Sequence, residues 1–282
     1  MRDLPRRVVL VTGGSRGIGR AVAEKFLEEG AAVVIAARTA AEVRSATAEL
    51  GRAGRAQGIA GDVSREADVR KIVREAEKIP GALDVLVNAA GVQPPLGPFA
   101  QADLRSWKKN IEINLMGTAL CCREALPGMI ARGRGKIINF SGGGANSSRP
   151  NFSAYAAAKA AVVRFSEVLA DEVRGHGIQV YAVSPGIVRT RMIEEILAAS
   201  PDVVGSEREA LRTKEKTGYD SARAAAELVS FLASPAADGL SGKNISAVWD
   251  PWREWAKGTA VPDGELYVLR RIDGRNFCKG RP

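Results

Sequence analysis

Two side chains spaced four residues apart, Tyr155 and Lys159, have the chemistry needed to move a proton. They fall in a stretch, 152–174, that predicts a long helix, so both project from the same helix face. An ammonium group near a phenol favours the phenolate, and we therefore expect the pKa of Tyr155 to fall toward neutrality. Such a tyrosine can act as general acid or base at a carbonyl oxygen. A Tyr/Lys pair alone is more often ordinary helix surface, so its meaning depends on what surrounds it.

A glycine-rich turn near the amino end is the second chemical feature. The apolar run 8–11 breaks into Thr12-Gly-Gly-Ser-Arg-Gly-Ile-Gly19, and apolar residues then return at helical spacing. A buried strand, a tight turn and a helix in this order direct backbone N–H groups at one spot. Such a spot binds the pyrophosphate of a dinucleotide. Glycine turns also join strands to helices without binding anything, but here the strand and the helix are both in place.

Alternating strands and helices must hold these features together. After the first strand, further strands are predicted at 32–37, 57–60, 83–87, 136–140, 178–183 and 243–248. Helices are predicted at 40–50, 65–78, 104–129, 152–174 and 221–233. No repeat or flexible linker interrupts the alternation. The pattern predicts an α/β fold, a Rossmann-type doubly wound parallel sheet in a single domain of residues 1–248.

Two segments fall outside this alternation. Residues 189–218 are charged, helical in tendency and broken by Pro201 and Gly205. We expect them to form a substrate flap over the carboxyl ends of the strands, with an ordinary surface excursion as the alternative. Residues 249–282 form a C-terminal extension that carries three tryptophans and is too aromatic for a disordered tail. We expect the extension to pack on the domain or on a neighbouring subunit.

Composition narrows the class of protein. The 282 residues are 45% hydrophobic and 26% charged, enough for one large core, and no apolar run is long enough to span a bilayer. With three cysteines and one histidine, neither a disulfide framework nor a metal site is expected. The net charge of +9 comes from dispersed basic residues, so we expect no nucleic-acid partner. The short amino terminus leaves no room for a signal peptide, and we expect a cytoplasmic protein without a membrane partner.

In order and spacing, these motifs resemble the short-chain dehydrogenases/reductases. The resemblance rests on the glycine turn, Asn88-Ala-Ala-Gly91, Asn114, Tyr155-Ala-Ala-Ala-Lys159 and Pro185-Gly186. It covers the chain from the first strand to the last. It implies hydride transfer between a nicotinamide and a carbonyl or secondary alcohol, for example a 3-oxoacyl thioester, with Tyr155 handling the proton. It also implies a homo-oligomer, a tetramer or a dimer, packed through the two long helices.

The resemblance assigns roles to individual residues. It implies that Lys159 grips the nicotinamide ribose, Asn114 holds a water in the proton relay, Asp62 reaches the adenine and Thr190 contacts the nicotinamide amide. The residues expected at the cofactor are Gly13, Ser15, Arg16, Gly17, Ile18, Gly19, Arg38, Asp62, Val63, Asn88, Ala89, Gly91, Tyr155, Lys159, Pro185, Gly186, Val188 and Thr190. The expected catalytic residues are Tyr155, Lys159, Asn114 and Ser141.

One position departs from the family pattern. The family carries a serine after the fifth strand that hydrogen-bonds the substrate oxygen, and the usual interval before Tyr155 falls on Gly142. Ser141 is one residue closer to the strand, and we take it as the catalytic serine. The alternatives are Ser147, Ser148 and Ser153. Losing such a donor lowers turnover roughly a hundred- to a thousandfold. A cofactor-binding protein with weak or no catalysis is therefore the alternative function.

The end of the second strand bears on the choice of cofactor. It reads Ala36-Ala-Arg38-Thr39, without the carboxylate that usually binds the free ribose hydroxyls. Arg38 and Arg16 are both placed to meet a 2′-phosphate, which suits the bidentate fork of arginine. Together they favour NADP(H), with NAD(H) as the alternative.

Overall fold

Parallel strands form one sheet in the computed structural model, which describes residues 7–80, 82–262, 264 and 266–270. The strands are β1 (Val8–Thr12), β2 (Ala32–Ala37), β3 (Ala56–Ala60), β4 (Leu83–Asn88), β5 (Gly135–Phe140), β6 (Ile178–Ser184) and β7 (Asn244–Ser246). Their order is β3-β2-β1-β4-β5-β6-β7, so the winding direction reverses between β3 and β4. The predicted α/β, Rossmann-type doubly wound sheet is confirmed.

Helices connect the strands and extend beyond the last one. They are α1 (Gly17–Glu28), α2 (Ala40–Leu50), α3 (Glu66–Glu77), α4 (Leu104–Ile111), α5 (Gly117–Arg132), α6 (Ser153–Val173), α7 (Arg191–Ala198), α8 (Pro201–Val204), α9 (Glu207–Thr217), α10 (Ala222–Leu232) and α11 (Trp252–Trp255). Within the described residues, none of them is both long and apolar enough to cross a bilayer.

The strands are buried on both faces, which explains why they read as continuous apolar runs. Successive side chains alternate between the two faces. Val9 and Val11 therefore pack with Phe26 of α1 and with α10, in one half of the core. Leu10 points the other way and packs with residues of α3, α5 and α6, among them Ile72 and Met129.

Two elements differ from the sequence prediction by more than one residue at an end. The helix expected over 104–129 is interrupted by a π-helical turn, Glu112–Met116, which joins α4 to α5. The last strand ends at Ser246 because the Ser246 Oγ accepts hydrogen bonds from the N–H groups of Val248 and Trp249, which turns the chain out of the sheet.

The segment predicted as a flap folds into α7, α8 and α9. Its apolar residues Ile193, Ile196, Val204 and Leu211 are buried around Phe152, which precedes α6. The segment therefore has a small core of its own that rests on the start of α6. Whether it moves over a substrate stays a prediction.

The described part of the C-terminal extension packs on the core of its own chain. Trp252 and Trp255 are buried, whereas Trp249 is 81% exposed. The Asn244 N–H donates to the Tyr267 carbonyl at 2.7 Å, so the extension lies along the edge strand β7. Residues 1–6 and 271–282 lie outside the described residues, and the division at residue 248 stays a prediction.

Candidate active site

A cleft of about 910 Å³ opens at the carboxyl ends of the strands. Residues that directly follow six of the seven strands line it: Gly13, Arg38, Gly61, Ala89, Ser141 and Pro185. One cavity therefore runs from the glycine turn to Tyr155 and Lys159. Its position is where doubly wound sheets bind their ligands.

The glycine turn is held tightly against the sheet. A Cβ at Gly19 would lie 2.4 Å from the carbonyl oxygen of Gly13, and a Cβ at Gly13 would lie 2.8 Å from the backbone nitrogen of Ala90. The N-cap residue Arg16 makes no side-chain hydrogen bond to the first turn of α1, whose residues Gly17, Ile18 and Gly19 line the cleft. An uncapped helix amino terminus at this place fits the pyrophosphate of a dinucleotide.

Charged residues surround the part of the cleft formed by β2 and β3. Arg38 is exposed and, within the described residues, forms no ion pair, whereas Arg16 lies 3.7 Å from Glu42. Burial acts to raise the pKa of Asp62, but hydrogen bonds from the Ser64 hydroxyl and N–H prevail, and the pKa is lowered. Asp62 is therefore held as a carboxylate, able to accept hydrogen bonds.

Tyr155 occupies the place where a serine side chain at position 142 would begin. A Cβ at Gly142 would lie only 2.4 Å from the Tyr155 hydroxyl oxygen. The neighbouring Ser141 borders the cleft, but its Oγ donates to Asn244 Oδ1 at 3.1 Å. The phenol therefore rests against the bare backbone of Gly142, while the available hydroxyl is bound elsewhere.

The predicted fall in the pKa of Tyr155 is wrong for this structure. Burial raises the pKa of Tyr155, and the Arg149 guanidinium opposes this only in part. Lys159 Nζ lies 5.7 Å from the centre of the tyrosine ring and donates to the Phe140 carbonyl at 2.8 Å. Burial lowers the pKa of Lys159 to about 8. Desolvation, which penalises both charged forms, is thus the largest cause of both shifts.

Asn114 lies in the π-turn, behind the cleft rather than on its wall. Its amide donates to the Val92 carbonyl at 2.8 Å and to Asn110 Oδ1 at 2.7 Å, and its Oδ1 accepts from the Val92 N–H. A Cβ at Gly91 would lie 2.7 Å from Asn114 Oδ1, so the loop after β4 fits closely onto this side chain. π-turns within α-helices are frequent at functional sites.

All but three of the predicted cofactor residues line the cleft. Asn88 is buried below it and donates to Asn139 Oδ1 at 2.9 Å. Gly186 and Val188 pack beside Asp220 instead. Among the lining residues that the sequence prediction missed are Lys109, Asn110, Phe140, Arg189, Arg191, Met192, Glu194 and Glu195. The last five come from the segment predicted as a flap, which carries no motif.

Known proteins share this sequence pattern and architecture. Residues 7–200 match the short chain dehydrogenase family. The chain is 36% identical to short-chain reductase protein NovJ of Streptomyces niveus, over 84% of this chain and 91% of that protein. It is 37% identical to cis-4-hydroxycyclohexanecarboxylate dehydrogenase of Sinomonas cyclohexanicum, over 84% and 92%. A crystal structure of a variant actinorhodin polyketide ketoreductase with NADPH matches with a TM-score of 0.80 and 30% identity, covering 87% of this chain and 97% of that one.

The burial of Lys159 predicts a pH-dependent stability. Its pKa of about 8 lies below the ordinary value of 10.5, so the folded protein releases this proton at lower pH than the unfolded chain. The free energy of unfolding of the wild type should therefore rise with pH through this interval. Lys159→Met has no ionisable group at this position and therefore lacks this pH-dependent contribution to stability. We therefore compare the free energies of unfolding of the two proteins, measured in urea. Between about pH 7.5 and about pH 10, the value for Lys159→Met should fall by about 2 kcal/mol relative to that of the wild type.

The matched control is Lys71→Met on the exposed face of α3, which should follow the wild-type curve at every pH. Parallel stability curves for Lys159→Met and the wild type would contradict the assigned burial of the Lys159 charge.

Proposed function

Since the chain belongs to the short-chain dehydrogenase/reductase family, whose oxidoreductases act on CH–OH groups with NAD(P), we propose that it is an NADP(H)-dependent reductase of ketones. The substrate is a 3-oxoacyl thioester or another ketone, and in the reverse direction the corresponding secondary alcohol is oxidised. The observation that carries the proposal is the single cleft that joins an uncapped glycine turn to the buried Tyr155 and Lys159.

The residues of the cleft fit a dinucleotide. The glycine turn and the first turn of α1 would hold its pyrophosphate, and Lys159 and Thr190 would hold its nicotinamide half. Bound there, the cofactor supplies or accepts the hydride.

Tyr155 acts as the acid in reduction and as the base in oxidation. Burial raises its pKa, so the phenol keeps its proton at neutral pH and can donate it to a carbonyl oxygen. This favours the reductive direction. Lys159, with a pKa of about 8, can pick up a proton again near neutral pH. Ser141 would have to exchange its bond to Asn244 before it could donate to a substrate oxygen.

A turnover assay tests the proposal directly. We expect the purified protein to oxidise NADPH in the presence of members of a broad panel of ketones and 3-oxoacyl thioesters. Tyr155→Phe should lose about a hundred- to ten-thousandfold in kcat, because it lacks the proton, while NADPH affinity changes by no more than a few-fold. NADPH binding without turnover on any panel member would instead support the alternative, a cofactor-binding protein with weak or no catalysis, which the missing side chain at Gly142 favours.

The preference for NADP(H) rests on Arg38, which forms no ion pair among the described residues, and on Arg16, which lines the same cleft. We expect Arg38→Ala to weaken NADPH binding about ten- to a hundredfold, because a charge-assisted hydrogen bond to phosphate contributes about 1.5–3 kcal/mol. NADH binding should stay within about twofold. Fluorescence titration with both cofactors measures the two affinities. Arg44→Ala, on the exposed side of α2, is the control; equal losses for NADPH and NADH would exclude a 2′-phosphate site at Arg38.

The contact between Gly142 and Tyr155 predicts a second effect on turnover. A Cβ at Gly142 must displace the phenol, and misplacing a catalytic group by about an ångström lowers turnover by about a hundredfold. We expect Gly142→Ala to lose about ten- to a hundredfold in kcat with unchanged NADPH affinity. Gly143→Ala is the matched control, since its Cβ would meet no atom closer than 3.5 Å. If Gly142→Ala is fully active, the Tyr155 hydroxyl does not occupy this position against Gly142 during the reaction.

We also propose a homo-oligomer packed through the helices on either side of β5. Apolar side chains are exposed there on α4, the π-turn, α5 and α6, namely Leu104, Met116, Ile130 and Val168. Burial against another subunit would remove this surface from water.

A further inference from the structure

Arg149, in the loop between β5 and α6, places a permanent positive charge beside Tyr155. Its guanidinium carbon lies 4.0 Å from the centre of the Phe152 ring and 5.7 Å from the centre of the Tyr155 ring. Lys159 is equally far from the tyrosine ring, but its ammonium loses charge as pH rises past about 8. Arginine stays charged throughout this range.

The guanidinium is fixed by partners from two other parts of the chain. Glu207, the first residue of α9, lies 2.5 Å from Arg149 Nη2. The amide oxygen of the buried Gln93 accepts from Nη1 at 2.7 Å and from Nη2 at 3.2 Å when the amide is oriented to satisfy both groups. The Arg149 side chain is only 13% exposed, so neither water nor salt screens these contacts fully.

The glycine run makes this position accessible. A Cβ at Gly144 would lie 3.2 Å from the Arg149 Cβ and 2.6 Å from the Ala156 Cβ. A Cβ at Gly143 would lie 3.5 Å from Nη1. The loop therefore has room for the arginine where it folds back over the start of α6. Arg149 is not among the residues that line the cleft, and within the site its guanidinium lies over the ring of Tyr155.

We propose that Arg149 is a positioning residue for Tyr155: the Arg149 guanidinium stabilises the ionised phenol. Glu207 of the flap reduces this effect, because it neutralises part of the charge of Arg149. The proposal rests on the proposed function of Tyr155 as the group that transfers the proton. It makes the contact between α9 and the loop before α6 part of the catalytic machinery. A flap that releases Arg149 would change the acidity of the tyrosine.

The electrostatics of the site support this direction. Burial raises the pKa of Tyr155 and Arg149 lowers it. In the part of the chain that the structure describes, the charged groups near the ring are Arg149 from the loop and Lys159 from α6, and Glu207 from α9 acts through its ion pair with Arg149. Removing the Arg149 charge should raise the pKa of Tyr155. Removing the Glu207 charge while keeping its hydrogen bond should lower it.

The test compares Arg149→Met with Glu207→Gln, which retains an oxygen to accept from the guanidinium. Oxidation of a secondary alcohol with NADP⁺ needs the phenolate, so kcat/KM rises with pH as Tyr155 ionises. We expect this rise to move about one pH unit higher in Arg149→Met and about half a unit lower in Glu207→Gln. A purely structural role for Arg149 would lower kcat without moving the two profiles in opposite directions, and that result overturns the proposal.

Arg174→Met and Asp171→Asn are the matched controls. They remove the same charges from an exposed ion pair at the far end of α6 and should leave the profile in place. In parallel, tyrosinate absorbance of each protein minus that of its Tyr155→Phe counterpart follows the ionisation of Tyr155 without any substrate. If the wild type turns over nothing, the proposed function has failed, and the absorbance titration still decides on Arg149. If the pKa of Tyr155 is not lowered in Glu207→Gln, the proposal is overturned.

Discussion

The close packing of two turns, after β1 and after β4, sets the geometry of the whole site. The Thr12 Oγ accepts from the N–H groups of Ala89 and Ala90 at 3.2 and 3.3 Å, and Gly13 leaves no space for a side chain against Ala90. β1 and β4 are neighbours across the point where the winding of the sheet reverses, so their helices leave on opposite sides and open a crevice between them. The amino terminus of α1 and the loop after β4 face each other across that crevice.

Burial of ionisable groups is the energetic consequence of enclosing this crevice. Among the described residues, the Lys159 ammonium donates one hydrogen bond, to the Phe140 carbonyl, and its lowered pKa reflects how much the folded protein disfavours that charge. Below the cleft, Asn88 Oδ1 is buried and has no hydrogen-bond partner among the described residues. Sites that carry such costs are typical of places where function, not stability, fixes the residue.

The sequence was sufficient for the sheet because buried parallel strands are continuous apolar runs, and β2 and α2 match their predicted bounds. It was insufficient where tertiary contacts decide. The π-turn at Glu112–Met116 interrupts a sequence with unbroken helical character, in a turn that Asn114 ties to Val92. The pKa of Tyr155 is raised rather than lowered, because helical spacing reveals a nearby ammonium but not the depth of burial. Spacing is local information, and desolvation depends on the whole fold.

The glycine run at 142–144 shows how the meaning of a motif changes with structure. From the sequence alone, the run indicates that a serine hydroxyl has been lost. In the fold, Gly142 receives the Tyr155 phenol and Gly144 lets the chain pass closely over α6, which brings Arg149 to the tyrosine ring. Arg149, Gln93 and Glu207 lie far apart in sequence, so no local pattern could have linked them. A hydroxyl that donates to the substrate and a cation that stabilises the phenolate both favour proton transfer. In the proposed role of Arg149, the loop that lacks the serine hydroxyl supplies electrostatic support to Tyr155 instead, and Glu207 of the flap reduces that support.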